Sequence, residues 1–197
     1  VTLAETLSRA VRAGGGDSSD FDLNPSFVLP EDRVLQPAGV LVGFLDTGGA
    51  PRVVLTKRSS RLKHHPGQIA FPGGKVDPGD GGPIGAALRE AEEEVGLPRE
   101  TVEVFGELPR HETVTGFIVT PVLGWIRDDF RPVPEAGEVD EVFTVPLSHV
   151  ADRANYQVQS RFWRGHQRYY YTVPYGPHYI WGATARILRG LAERLAA

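Results

Sequence analysis

The sequence predicts a mixed α/β domain in which helices pack against a curved β-sheet. Two observations carry that expectation. Apolar, β-branched segments recur between Pro, Gly and charged residues, as strands do, and three other segments place apolar residues at helical spacing. At 197 residues the chain suits one domain with a sizeable core and is short for two. A single domain over 1–197 is therefore expected.

In chain order, Leu3, Leu7, Ala10 and Val11 define a helix over about 2–13, and "GGGDSSD" ends it in a loop. "PAGVLVGFLD" and "PRVVLTKRS" read as two strands, with "TGGA" from Thr47 as the turn between them. A loop from Ser59 to Phe71 follows, dense in Arg, Lys, His and Gly. A helix is expected from Pro83 to Val95, because Pro suits a first helical turn and Gly96 suits the end. "VEVFGEL", "GFIVTPVLGWI" and "EVFTVPL" are further strands, and "YQVQSRFW" with "QRYYYTVPY" a further hairpin. "GATARILRGLAERLAA" closes the chain as an amphipathic helix over about 182–196.

Composition excludes several classes. There is no cysteine, which removes disulfides, thiolate chemistry and cysteine-bound zinc. A net charge of −4 argues against a general nucleic-acid or anionic-membrane binder. No run of about 18 apolar residues is present, so no transmembrane helix is expected. The first residues lack a basic segment followed by an apolar core, so no secretory signal is expected and the default location is cytoplasmic. The histidines, His64, His65, His111, His149, His166 and His178, show no zinc spacing.

The helix from Pro83 poses a physical problem. Glu90, Glu93 and Glu94 stand at i, i+3 and i+4 and share a face, while Glu92 points elsewhere. Like charges on adjacent turns cost an isolated helix roughly 0.2–0.5 kcal/mol per pair. Arg89, four residues before Glu93, can bridge to it, and Ile84, Ala87, Leu88, Ala91 and Val95 give a packing side. A hard divalent cation would remove the repulsion, since Mg²⁺ takes oxygen ligands from a few carboxylates, water and phosphate. Upstream, Gly73 and Gly74 can bring bare backbone close to such an ion.

"REAEEEVGL", Arg89 to Leu97, resembles the core of the Nudix box, R-E-x-x-E-E-x-G, at every fixed position, and with Gly74 the box spans about 74–97. The general box has glutamate six residues after its first glycine and seven residues between that acid and the arginine. This chain has Asp80 there, with eight residues before Arg89. The resemblance implies a Nudix fold, an α/β/α sandwich with the mixed sheet between helices. It also implies hydrolysis of a diphosphate linked to another moiety, with Mg²⁺ or Mn²⁺. Glu90 and Glu94 would be the primary metal ligands, Glu93 a further one, and the Gly74 carbonyl would face the metal. Arg89 would hold the glutamates in place. The proton acceptor would be a box glutamate, Glu93, or an acid from a distant loop. "VPEAGEVDEVF" supplies Glu135, Glu138 and Glu141, of which Glu138 is the preferred candidate.

The segment before the box narrows the substrate. "KRSSRLKHH" holds Lys57, Arg58, Arg61, Lys63 and two histidines without an acid, a local reversal that suits an anionic ligand. "VLTKRSSRLKHHPGQIAFPGG" resembles the segment that marks coenzyme A pyrophosphatases among Nudix proteins, L-L-T-x-R-[SA]-x3-R-x3-G-x3-F-P-G-G. Val54 and Lys63 are the departures. The implied reaction cleaves coenzyme A, or a derivative, to 3′,5′-ADP and 4′-phosphopantetheine. Arg58, Ser59, Arg61, Lys63, Gly67 and Phe71 are the implied substrate-binding residues. Another nucleoside diphosphate derivative, such as ADP-ribose or NADH, is the alternative substrate, and a non-catalytic nucleotide-sensing module is the alternative of another class. "QRYYYTVPYGPHYIW" could stack an adenine or line a pantetheine channel; an aromatic strand in a core or dimer interface is the other reading. Monomer and homodimer both remain open.

Overall fold

The computed structural model describes residues 2–127, 130–163 and 165–196. Helix α1 is Leu3–Arg12, followed by strands β1 (Ser18–Ser19), β2 (Gln36–Asp46), β3 (Pro51–Arg58), β4 (Ile69–Ala70) and β5 (Gly73–Lys75). Helix α2 is Pro83–Val95. Strands β6 (Val102–Glu107), β7 (His111–Glu112), β8 (Phe117–Ile126) and β9 (Val139–Pro146) come next. A short α3 (Leu147–Ala151), the hairpin β10 (Gln157–Trp163) and β11 (His166–Thr172), and α4 (Gly182–Leu195) complete the chain.

The nine-stranded sheet runs β1-β7-β8-β2-β3-β4, with β5 paired to β2, β6 to β8 and β9 to β3. Its central pair, β2 and β8, is parallel from Gln36↔Phe117 to Phe44↔Trp125, while β2–β3 and β3–β9 are antiparallel. The sheet is thus mixed, as the sequence predicts. β10 and β11 pair with each other in a separate two-stranded sheet, and Thr172 at the end of β11 bridges to Trp181.

Alternation along the central strands sends side chains to two separate cores. Val42, Phe44, Val53, Leu55 and Leu123 face one side, where Leu7 of α1 and Ile187, Leu188 and Leu191 of α4 cover them. Leu41, Val54, Val122 and Ile126 face the other, under Ala87, Ala91 and Val95 of α2. Each fully buried Val or Leu contributes about 1.5–3 kcal/mol, and both cores are needed to sandwich the sheet. Ile84, expected on the packing side of α2, is instead 37% exposed; Ala86 is buried in its place. The helix ends at Gly96 (φ 70°), whose N–H donates to the Ala91 and Glu92 carbonyls, a conformation glycine adopts without steric cost.

Within the expected 59–71 loop, Ile69–Ala70 pairs with Thr56–Lys57. The basic segment is therefore a closed excursion between β3 and β4. It is fastened by Arg58 N–H donating to the Gln68 carbonyl (2.9 Å) and Gly67 N–H to the Arg58 carbonyl (3.0 Å).

Candidate active site

The solvent-side edge of α2 lies against β5. Glu94 is 6% exposed, and its Oε2 accepts from the Gly73 N–H at 3.1 Å. Gly74 sits directly on Glu90, and a Cβ at that position would collide with the Glu90 carboxylate. The bare backbone thus makes the space in which Glu90 lies. Burial pushes the Glu94 carboxyl up to about 7, a rise to which the charges of Glu90 and Glu138 add. Burial also raises Glu90, as do the charges of Glu93 and Glu138, against the lowering effect of Arg89.

Arg89 organises this edge. Its Nε donates to Asp80 Oδ1 (2.7 Å) and its Nη2 to Asp80 Oδ2 (3.0 Å), a two-pronged pair. Nη1 donates to Glu90 Oε1 (2.9 Å) and Glu93 Oε2 (3.1 Å), and Nη2 also reaches the Lys75 carbonyl at 3.1 Å. The arginine therefore spans the loop before α2, strand β5 and two box glutamates. The hydrogen bond to Arg89 holds the Asp80 carboxyl down at about 2, with a further contribution from the Asp77 N–H. The structural acid sought at the box entrance is present, as Asp80. The 77–80 turn, closed by Asp77 N–H to Asp80 Oδ2 (2.7 Å) and Asp80 N–H to the Asp77 carbonyl (3.0 Å), presents it.

Glu93 is turned outward, its side chain 57% exposed and held by Arg89. Glu92 pairs with Arg99 at 2.6 Å, away from the site. Among the described residues no three His, Asp or Glu side chains stand gathered at ligand spacing. Glu90 and Glu94, beside Gly74, form the core of the site, with Glu93 at its rim.

The 133–138 segment closes the other side. Val133 and Glu135 donate their N–H groups to the Val95 and Glu94 carbonyls (2.9 Å each), docking the segment on the end of α2. Glu138 follows as an exposed acid whose charge reaches both Glu90 and Glu94. Glu141 is drawn off by His178 Nε2 at 3.0 Å. A register shift then separates Lys57↔Glu141 from Arg58↔Val139, leaving Asp140 as the extra residue of β9. Asp140 accepts from the Ser60 N–H at 2.9 Å, which lowers its pKa and pins the start of the basic loop.

The six implied substrate-binding residues divide by contact. Arg58 lies on the α2 side of β3, close enough for its charge to lower Glu94, and its buried Nε has no hydrogen-bond partner among the described residues. Arg61 and Lys63 are exposed and make no ion pair among the described residues. Ser59 is 1% exposed: its N–H donates to the Glu138 carbonyl (2.8 Å) and its Oγ accepts from the Arg61 N–H (3.3 Å). Gly67 closes the loop at φ 70°. Phe71 is 5% exposed and belongs to the main core. Of the six, Arg58 brings its charge to Glu94, Ser59 and Gly67 fasten the loop, and Phe71 packs in the core. Asp80 and Asp140 have roles the sequence reading did not assign; an acid within reach of Arg89 was the available sign of the first.

The donor set fits a hard divalent cation. It is all oxygen, one carboxylate is buried with a single N–H donor, and the glycine cradle leaves the second carboxylate room. Burial raises Glu94 despite the charge of Arg58, and a cation would supply further counter-charge.

A mixed sheet between helices, an Arg-anchored acidic helix and a glycine entrance define the Nudix architecture, and the NUDIX domain model matches residues 35–164. The chain belongs to the Nudix hydrolase family and is an enzyme of that class, whose members generally use divalent metal ions such as Mg²⁺ or Mn²⁺. It is 46% identical to the protein named "Uncharacterized Nudix hydrolase NudL" of Enterobacter sp. (strain 638) over 145 residues, 74% of this chain and 76% of that protein. It is 44% identical to the protein of the same name from Escherichia coli (strain K12), with the same coverage. Among solved structures, a MutT/nudix family protein from Enterococcus faecalis superposes with a TM-score of 0.58 at 17% identity, covering 100% of this chain and 75% of that one. That likeness is one of fold. Among the described residues no helix is long and apolar enough to cross a membrane.

Proposed function

We propose that the chain hydrolyses the pyrophosphate of coenzyme A or a derivative, giving 3′,5′-ADP and 4′-phosphopantetheine, with Mg²⁺ or Mn²⁺. The observation that carries this reading is the closed basic loop beside Glu90 and Glu94. Its cations, Arg58, Arg61 and Lys63, make no ion pair among the described residues, and the Arg58 Nε is buried without an acceptor. A buried donor without a partner costs about 1–3 kcal/mol, a cost that a phosphate oxygen would remove.

Glu90 and Glu94 would hold the cation with the Gly74 backbone, and Glu93 would join them at the rim. When bound, the cation neutralises phosphate oxygens and acidifies water for in-line attack on phosphorus. Arg89 keeps Glu90 and Glu93 in place, and the Gly73 N–H holds Glu94. Arg58 orients the diphosphate over them, and Arg61 and Lys63 read a further phosphate on the ribose. Glu138, or Glu93 at the rim, accepts the proton of the attacking water; Glu138 is favoured because its charge reaches both inner carboxylates.

The 3′-phosphate distinguishes coenzyme A from ADP-ribose and NADH. The test is a substrate panel with Mg²⁺ and with Mn²⁺, products separated by chromatography. Coenzyme A should be cleaved to the two products above, and dephospho-coenzyme A should be a much poorer substrate. Equal turnover of those two, or cleavage of ADP-ribose with coenzyme A left intact, would overturn the assignment.

A further inference from the structure

A cavity of about 360 Å³ lies on the face of the sheet opposite α2, between the end of α1, the turn before β7 and α4. That volume is at the small end of the range that takes small-molecule ligands. None of Glu90, Glu94 and the basic loop lines it. Leu108, Pro121, Ile187 and Leu191 give it apolar walls. Gly190 of α4 also lines it, and a Cβ there would meet no side chain closer than Arg186 Nη1 at 3.7 Å.

Four charged side chains reach the lining, and three of them are already paired. Asp17 accepts from Arg110 at 2.7 Å, Arg186 donates to Asp22 at 3.1 Å, and Glu193 accepts from Arg189 at 3.2 Å. The fourth, Arg194, is 8% exposed and makes no ion pair among the described residues. Its Nη1 donates to the carbonyls of Ala10 and Ala13, and so caps the end of α1. That cap occupies one nitrogen; Nε and Nη2 make no hydrogen bond to a described residue. Nη2 lies beside Gly15 (φ 148°), where a Cβ would stand 2.7 Å from it, so the glycine leaves the guanidinium its room. Burial lowers the Arg194 pKa, and no carboxylate offsets that effect. A buried charge without a counter-charge is costly, and a bound anion removes the cost.

We propose that this cavity is a binding site for a small organic monocarboxylate, its carboxylate on Arg194 and its apolar body against Leu108, Ile187 and Leu191. The guanidinium fork matches the two oxygens of a carboxylate. The apolar walls suit a hydrocarbon body, which a hydrated inorganic ion lacks. Asp17 and Glu193 in the lining oppose a second negative charge, and so select a monoanion. The site goes beyond the proposed hydrolysis and does not rest on it.

The test is a titration of hexanoate into the full chain, read by calorimetry and by the NMR signals of the arginine Nε–H groups. Hexan-1-ol and inorganic phosphate are the comparison ligands. The wild type should bind hexanoate saturably at millimolar concentration and shift one arginine signal, the one missing from Arg194→Met. The dissociation constant should be about 10–100-fold higher for hexanoate in Arg194→Met, and for hexan-1-ol in the wild type, as for loss of a charge-assisted hydrogen bond. Arg194→Met also removes the cap of α1, so the deciding variant is Gly190→Leu. It fills the cavity, leaves Arg194 in place and puts a better helix former into α4. Gly190→Leu, folded by circular dichroism, should weaken hexanoate by about tenfold or more. Wild-type affinity in Gly190→Leu, no hexanoate binding by the wild type, or hexan-1-ol binding as tightly as hexanoate would each overturn the proposal. So would phosphate binding in place of hexanoate. Neither Glu90, Glu94 nor coenzyme A takes part, so these outcomes are separate from those of the hydrolysis assay.

Discussion

Both carboxylate oxygens of Asp80 grip the guanidinium of Arg89, at 2.7 Å to Nε and 3.0 Å to Nη2. That pair fixes the direction in which Arg89 offers Nη1 to Glu90 and Glu93. Asp80→Asn keeps the shape and removes the charge. It should lower metal affinity and kcat by about 10–100-fold, the usual effect of losing a residue that orients a metal ligand. Titration of Mn²⁺ and steady-state kinetics would check it, and circular dichroism should report an unchanged fold.

Glu94 makes stability depend on pH in a defined direction. Its folded-state value, raised to about 7 by burial, lies above the ordinary 4.5. The folded protein therefore holds a proton that the unfolded chain releases. The associated stability is present at low pH and is lost as pH rises from about 4.5 through 7, by about 3 kcal/mol in all. Without metal, the wild type should melt at falling temperatures relative to Glu94→Gln between pH 5 and 8. Mg²⁺ should stabilise the wild type more at pH 8 than at pH 6, because the ion competes with that proton. Thermal denaturation over pH, with and without Mg²⁺, measures both effects.

A second acid works in the opposite sense. Asp20 receives His111 Nε2 (3.1 Å), the Val114 N–H (2.8 Å) and Arg168 Nη2 (3.3 Å), tying the β1 segment to β7 and β11. Burial raises its pKa, but these partners outweigh burial and the net shift is downward. Its contribution is therefore present above about 3.8, the unfolded value, and is lost as pH falls through the lower folded value. Asp20→Asn leaves the fully buried His111 and nearly buried Arg168 without the carboxylate, and should cost about 3–5 kcal/mol in denaturant unfolding at pH 7.

Arg58 offers a buried Nε without an acceptor among the described residues, so its loss should appear where substrate is bound. Arg58→Ala should lower kcat/KM by about 10–100-fold, as expected for one charge-assisted hydrogen bond of about 1.5–3 kcal/mol. Arg58→Lys keeps the charge without the fork and should recover only part of that loss. Lys63→Arg, which supplies the fork that the coenzyme A pyrophosphatase segment resembled by this chain carries there, should leave KM equal or lower. Kinetics on coenzyme A would measure all three.

The helices, the main strands and the acidic helix face were legible because they rest on local spacing. Leu7 and Leu191 fill the core from the two ends of the chain, and Glu90 and Glu94 share a face because a helix turns every 3.6 residues. Contacts that join distant segments were not legible. β4 exists only because Ile69–Ala70 finds Thr56–Lys57. Phe71 stands in a motif, and its place in the core could not be read from that motif. Ser59 and Asp140 shape the basic loop through a register shift that no single segment encodes. Asp20 and His111, 91 residues apart, meet through parallel pairing of β1 with β7. Ile84 sits at a packing position by helical spacing, but at the start of α2 it extends beyond the sheet's cover and is exposed.

The central claim is that Glu90 and Glu94 together hold a divalent cation, and Mn²⁺ binding tests it most directly. Calorimetric or electron-paramagnetic titration at pH 8, with non-hydrolysable nucleotide present, should show saturable Mn²⁺ binding to the wild type. Glu90→Gln and Glu94→Gln, each folded by circular dichroism, should lose that binding together with orders of magnitude in kcat. A wild type that takes up no Mn²⁺ at millimolar concentration, or variants that bind it as the wild type does, would contradict the account.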